Sequence, residues 1–147
     1  MRHENFFRWS TLLSLGGVVF AGYLTVTKLM TNVCPFQEPC PYFLGYPACW
    51  YGLGIFSLLL AISFIGLVGK REETWLIFFI RAGAGVGVLF AGSFVIREMI
   101  NAIRFGLPDY RLFLPTCAYG LLVYILIFVL AHRTLTPSAF NTAPPTV

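Results

Sequence analysis

Four cysteines are the residues of this sequence whose type and spacing best support chemistry. Cys34 and Cys40 flank a segment of five residues, while Cys49 and Cys117 lie farther along the chain. Thiols form and exchange disulfides, and thiolates bind soft metal ions. The spacings match none of the short Cys-x-x-Cys-like pairs that zinc sites use. The pattern therefore favours disulfide chemistry, and no metal is expected.

The composition places these thiols in a membrane protein. The chain has 147 residues, of which 58% are hydrophobic and 11% are charged, and its mean hydropathy is +0.79. Soluble domains carry about 25% charged residues. These values argue against a soluble enzyme, a nucleic-acid-binding protein and a disordered chain. The expected environment is a lipid bilayer.

Four apolar segments are each long enough to cross a bilayer, for which a helix needs about 20 residues. The fold class predicted from them is an all-α membrane protein, a bundle of four transmembrane helices occupying residues 1–132. A Thr- and Pro-rich tail at 133–147 is expected to be disordered. The predicted spans are 9–30, 48–69, 75–97 and 112–132.

The distribution of basic residues predicts the orientation. Six lysines and arginines fall on the side of the two termini and four on the other side, which favours cytoplasmic termini. All four cysteines then lie near the exoplasmic face, where disulfides persist. The six are Arg2, Arg8, Lys70, Arg71, Arg81 and Arg133; the four are Lys28, Arg97, Arg104 and Arg111.

Two pairs of similar windows indicate an internal repeat. Residues 18–24 resemble 88–94, and residues 47–53 resemble 115–121. The bundle is therefore predicted to consist of two repeated two-helix units, at about 10–69 and 75–132. Repeats that enter the membrane in the same direction are related by an axis along the membrane normal. Cys49 and Cys117 are then expected at the same depth, in the first turns of the second and fourth helices.

Each set of thiols has two interpretations. A Cys34–Cys40 disulfide is either a structural staple of the first connector or a mobile pair that exchanges with a core thiol. Cys49 and Cys117 are either small packing residues or a redox pair. The sequence alone leaves both choices open.

Aromatic and small residues lie near the membrane depth at which the cysteines are predicted. The aromatic residues there either line a flat apolar pocket for a quinone ring or pack in the core and the interfacial belt. The glycines between Gly83 and Gly87 lie within the third span, where small residues allow close helix packing. Eight aromatic residues form this set: Phe20, Tyr23, Trp50, Tyr51, Phe90, Phe94, Tyr119 and Tyr124.

Several short motifs resemble bacterial vitamin K epoxide reductase-like proteins. The stretch Gly22-Tyr23-Leu24-Thr25, followed by Lys28-Leu29, resembles the first helix of that family, and Cys34 and Cys40 match its loop pair. Gly45-Tyr46-Pro47 is similar to the entry to its second helix. Cys117 falls where the family carries the first Cys of a fourth-helix Cys-x-x-Cys, and Gly120 stands in place of the second. The resemblance covers about residues 10–132.

The resemblance implies a four-helix thiol–disulfide oxidoreductase in the plasma membrane of a prokaryote. In this family's scheme, Cys34 and Cys40 are the implied shuttle pair, and Cys117 is the core thiol that the shuttle attacks. The implied cofactor is a quinone. The implied partner is a thioredoxin-like exoplasmic protein. Since Gly120 replaces one Cys, the repeat suggests Cys49 as its substitute. Tyr23, Trp50, Tyr51 and Tyr119 are the predicted quinone-binding residues. The alternative is a non-catalytic membrane scaffold or subunit with structural cysteines.

Overall fold

The chain folds into four long helices and one short hairpin in a computed structural model that describes residues 3–31, 42–69, 74–105 and 116–136. All four helices are long and apolar enough to cross a membrane. The predicted fold class is thereby confirmed: the chain is an all-α integral membrane protein suited to a lipid bilayer. The elements in order are α1 (His3–Thr31), β1 (Tyr42–Phe43), β2 (Tyr46–Pro47), α2 (Ala48–Val68), α3 (Thr74–Phe105) and α4 (Thr116–Leu135).

The helix bounds differ from the predicted spans mainly in α1 and α3. These helices contain 29 and 32 residues, so they are longer than the roughly 30 Å hydrocarbon core requires at about 1.5 Å per residue. Hydropathy locates only the apolar part of a helix, whereas the polar turns at its ends remain helical. The loop thiols Cys34 and Cys40 lie outside the described residues, as do residues 137–147 of the predicted tail.

The bundle core lies between the four helices. Packing is most extensive between α1 and α2 and between α3 and α4, the two pairs predicted as units. Phe6, Leu59, Ile77 and Ile127 are among the fully buried side chains. On the outside, residues such as Leu89 are largely exposed. Such exposed apolar side chains suit contact with lipid tails.

The glycines of α3 allow close helix contact, as predicted. An added Cβ at Gly83 would lie 3.0 Å from Leu59, and one at Gly87 would lie 2.5 Å from the ring of Tyr124. Because any side chain at Gly87 would displace that ring, the glycine is required by packing. The packing interpretation of this segment is confirmed.

The hairpin was not predicted from the sequence, which indicated only a Pro-rich connector. β1 and β2 pair antiparallel, with Phe43 opposite Tyr46. The two turn residues, Leu44 and Gly45, have φ values of 50° and 86°, as in the type I′ turns that match strand twist. Leucine is unusual at positive φ, and the sequence lacks the Asn-Gly signal that normally marks such a turn.

Candidate functional site

Cys49 and Cys117 occupy equivalent places in their helices. Cys49 is the second residue of α2, which begins at Ala48, and Cys117 is the second residue of α4 as the structure describes it, from Thr116. Pro47 precedes α2 with extended backbone angles, φ −64° and ψ 139°, so the chain turns into the helix immediately before the thiol. Both cysteines are partly buried.

One cavity between the helices is lined by both cysteines; we call it the thiol cavity. It has a volume of about 60 Å³ and is partly open to the outside. All four helices contribute to its lining, which is almost entirely apolar. The lining residues are Phe20, Ala21, Leu24, Ala48, Cys49, Gly52, Phe56, Phe90, Ala91, Phe94, Thr116, Cys117, Gly120 and Tyr124.

Two stacked rings form part of the cavity wall. The rings of Phe56 and Tyr124 are nearly parallel, at 6°, with their centroids 4.1 Å apart. The hydroxyl of Tyr124 donates a hydrogen bond to the carbonyl oxygen of Gly52 at 3.1 Å. This bond joins α4 to α2 one turn beyond Cys49. The hydroxyl is therefore satisfied within the bundle.

The hairpin packs against the aromatic side of the cavity. The Phe43 ring contacts the rings of Tyr51, Phe90 and Phe94, at centroid distances of 5.5, 5.7 and 6.4 Å. The Tyr51 hydroxyl also donates a hydrogen bond to the Phe43 carbonyl oxygen at 3.3 Å. Phe90 and Phe94 line the thiol cavity, so these contacts fix the end of the first connector beside it.

The predicted quinone-binding residues lie around the thiol cavity rather than in its lining. Tyr23 points outward from α1 and is 57% exposed. Tyr119 packs against Phe20, with ring centroids 6.2 Å apart. Trp50 and Tyr51, together with Tyr46, line a separate shallow groove of about 320 Å³. The structure thus places Cys49 and Cys117 in the lining of one cavity and distributes the four aromatic residues over other surfaces.

Sequence reasoning overlooked several lining residues. Leu24, Gly52, Phe56 and Thr116 were not predicted as site residues, although each belongs to the lining. The available signal was the repeat, because Phe56 lies 68 positions before Tyr124, the same spacing that relates Cys49 to Cys117.

The surroundings of the two thiols limit their chemistry. A lone charge in an apolar environment is costly, whereas a disulfide is uncharged. Within the ranges described, no cluster of three or more His, Cys, Asp and Glu side chains is arranged to hold a metal ion. A disulfide between the two thiols would leave the apolar cavity uncharged.

Comparison of the chain with protein-family models, curated proteins and solved structures found no match.

Proposed function

We propose that the protein is a membrane thiol–disulfide oxidoreductase whose core redox pair is Cys49 and Cys117. The observation that carries the proposal is that both cysteines line one apolar cavity, each from the first turn of its helix. Cysteines kept only for packing on separate helices need not meet at one cavity. The motifs similar to vitamin K epoxide reductase-like proteins support the same reaction class.

The proposed cycle conserves electrons and protons. A dithiol donor, a thioredoxin-like exoplasmic protein, transfers two electrons and two protons to the core disulfide, becoming a disulfide while Cys49 and Cys117 become thiols. A quinone then takes two electrons and two protons from the core thiols, forming a quinol and restoring the disulfide. Cys34 and Cys40 are the proposed relay between donor and core.

The size of the thiol cavity constrains the quinone step. Its volume of about 60 Å³ is less than half that of an apolar cavity of about 150 Å³ known to hold benzene. A quinone ring therefore enters only if a lining side chain such as Phe94 moves, or if the ring remains partly outside. The larger groove at Trp50 and Tyr51 offers an aromatic surface for the external part.

Mild oxidation is expected to join Cys49 to Cys117. The full-length protein in detergent is oxidised, alkylated with one reagent, reduced and alkylated with a second, and the peptides are mapped by mass spectrometry. Both cysteines should carry the second label, and the unreduced digest should contain the linked peptide. A disulfide requires Cα atoms about 4.4–6.8 Å apart, so the assay also tests their proximity.

A Cys117→Ser variant is the matched control, because Cys49 should then take the first label. Recovery of a Cys34–Cys40 link alone, with Cys49 and Cys117 always carrying the first label, would show that the core pair does not form. That outcome would favour the scaffold function, in which the cysteines are structural.

A Gly120→Cys substitution is expected to increase quinone-dependent thiol oxidation by roughly tenfold, because two sulfurs on one helical turn meet more often than sulfurs on separate helices. Gly120 lines the thiol cavity, and an added Cβ there meets no atom within 4 Å. The new thiol completes a Cys-x-x-Cys with Cys117. Turnover with an added dithiol and quinone is the measurement.

Gly54→Cys is the control for an added thiol, since Gly54 is exposed and its Cβ position is also open. It should leave turnover unchanged. Suppose instead that the Gly120→Cys rate is unchanged although mass mapping demonstrates a disulfide between Cys117 and the introduced thiol. That result would refute the idea that a missing fourth-helix thiol limits the reaction.

A further inference from the structure

The lining of the thiol cavity repeats along the chain. Residues from α1 recur in α3 at a spacing of 70, and residues from α2 recur in α4 at a spacing of 68. All fourteen lining residues belong to such pairs, and four of the seven pairs are identical in residue type. The pairs are Phe20/Phe90, Ala21/Ala91, Leu24/Phe94, Ala48/Thr116, Cys49/Cys117, Gly52/Gly120 and Phe56/Tyr124.

The packing within each helix pair repeats at the same spacings. A Cβ added at Gly17 would overlap the ring of Phe56, just as one at Gly87 would overlap the ring of Tyr124. A second contact is also duplicated: a Cβ at Gly22 would lie 4.0 Å from Leu53, and one at Gly92 would lie 3.9 Å from Leu121. The two helix pairs are therefore packed alike.

Phe56 and Tyr124 stack directly on each other although they are equivalent residues. Contact between a residue and its own equivalent is the property of a two-fold axis, as in symmetric dimers. Their nearly parallel rings, 4.1 Å apart, mark the place where such an axis would pass. The thiol cavity lies beside this stack and is lined by both rings.

We infer that α1–α2 and α3–α4 are two copies of one unit related by an approximate two-fold axis through the Phe56–Tyr124 stack. The thiol cavity is a composite site, with one half contributed by each unit. Each half supplies one thiol, so neither unit contains the complete site. This inference concerns the architecture of the site and does not depend on the redox function proposed above.

The symmetry predicts a second hydrogen-bond position, for which this sequence supplies no hydroxyl. The Tyr124 hydroxyl donates to the Gly52 carbonyl oxygen. Rotation about the axis exchanges Tyr124 with Phe56 and Gly52 with Gly120. The para position of the Phe56 ring should therefore face the carbonyl oxygen of Gly120, which would accept a hydrogen bond from a hydroxyl placed there.

The test compares Phe56→Tyr, Tyr124→Phe and the double variant by thermal unfolding of the full-length protein in detergent. Tyr124→Phe should lower the Tm because it removes the bond to Gly52. Phe56→Tyr should leave the Tm equal to or above that of the wild type, since its hydroxyl meets Gly120. The double variant should regain the Tm lost in Tyr124→Phe, because its hydroxyl bonds the Gly120 carbonyl oxygen in place of the Gly52 carbonyl oxygen.

Phe6→Tyr is the control for a hydroxyl added to a buried ring, because Phe6 is fully buried and its repeat equivalent, Leu76, has no hydroxyl. It should lower the Tm, which shows that the assay detects an unsatisfied hydroxyl. If Phe56→Tyr lowers the Tm as much as Phe6→Tyr, or fails to fold while Tyr124→Phe folds, the inferred axis is wrong. Failure of the redox proposal would leave this stability comparison unaffected.

Discussion

Replacing Cys117 with alanine is expected to reduce thiol oxidation with added quinone by at least about 100-fold, to the uncatalysed background. In the proposed cycle every electron pair passes through the Cys49–Cys117 disulfide, and one remaining sulfur cannot form it. Cys49→Ala should cause the same loss. The double variant should lose no more than either single variant, because residues that act as a unit are not additive. The measurement is steady-state turnover of a dithiol donor in detergent or vesicles.

Ser93→Ala is the control for that experiment. Ser93 is exposed on α3, and its hydroxyl bonds only its own helix, at the Phe90 carbonyl oxygen. The Ser93→Ala variant should turn over the dithiol donor at the wild-type rate. Unchanged turnover in Cys117→Ala would remove this residue from the mechanism, and inactivity of the wild type with several quinones would favour the scaffold.

The transmembrane architecture was predictable because it depends on bulk apolarity. Long apolar segments interrupted by charged or Pro-rich connectors can satisfy their backbone groups in lipid only as helices. The start of α2 was located at Ala48 because Pro47 is a strong local signal. The start of α1 and the end of α3 were not located, since the polar turns there resemble connectors in composition.

The orientation of each helix about its own axis was not predictable. Leu24 is 5% exposed and lines the thiol cavity, whereas its neighbour Tyr23 is 57% exposed. Successive helical residues point about 100° apart, and in a soluble helix the polar face identifies the outside. Lipid and core are both apolar here, so that signal is absent. Four of the eight aromatic residues predicted near the thiols therefore line the cavity, whereas the four predicted to bind a quinone, Tyr23, Trp50, Tyr51 and Tyr119, lie beside it.

The equivalence of Cys49 and Cys117 was predictable from the sequence for a different reason, although the sequence did not show that their helices face each other. The repeat is found by comparing one part of the sequence with another, so it does not require knowing which face of each helix is buried. It predicted that Cys49 and Cys117 lie at the same depth, and both line the thiol cavity. That comparison already matched Gly52 with Gly120, and extending its second window by three residues would have matched Phe56 with Tyr124. Internal equivalence thus carries information about the site that hydrophobic periodicity lacks in this chain.

Substituting alanine for either Gly17 or Gly87 is expected to destabilise the bundle by about 1–3 kcal/mol, the usual cost of overpacking a core. The new methyl group would overlap the ring of Phe56 in the first case and that of Tyr124 in the second. Each ring is held between the glycine and the other ring of the stack, so neither can move without disturbing the thiol cavity. The two substitutions should therefore also slow formation of the Cys49–Cys117 disulfide.

Gly16→Ala separates this steric effect from the general effect of replacing glycine in a helix. Gly16 adjoins Gly17 in α1, but a Cβ there meets no atom within 4 Å. Alanine at this position should leave the unfolding temperature unchanged or raise it, because alanine favours helix more than glycine does. If the Gly17 and Gly87 variants unfold at the same temperature as Gly16→Ala, the rings do not need these glycines. Close packing would then not be what holds the stack, and with it the two cysteines, in place.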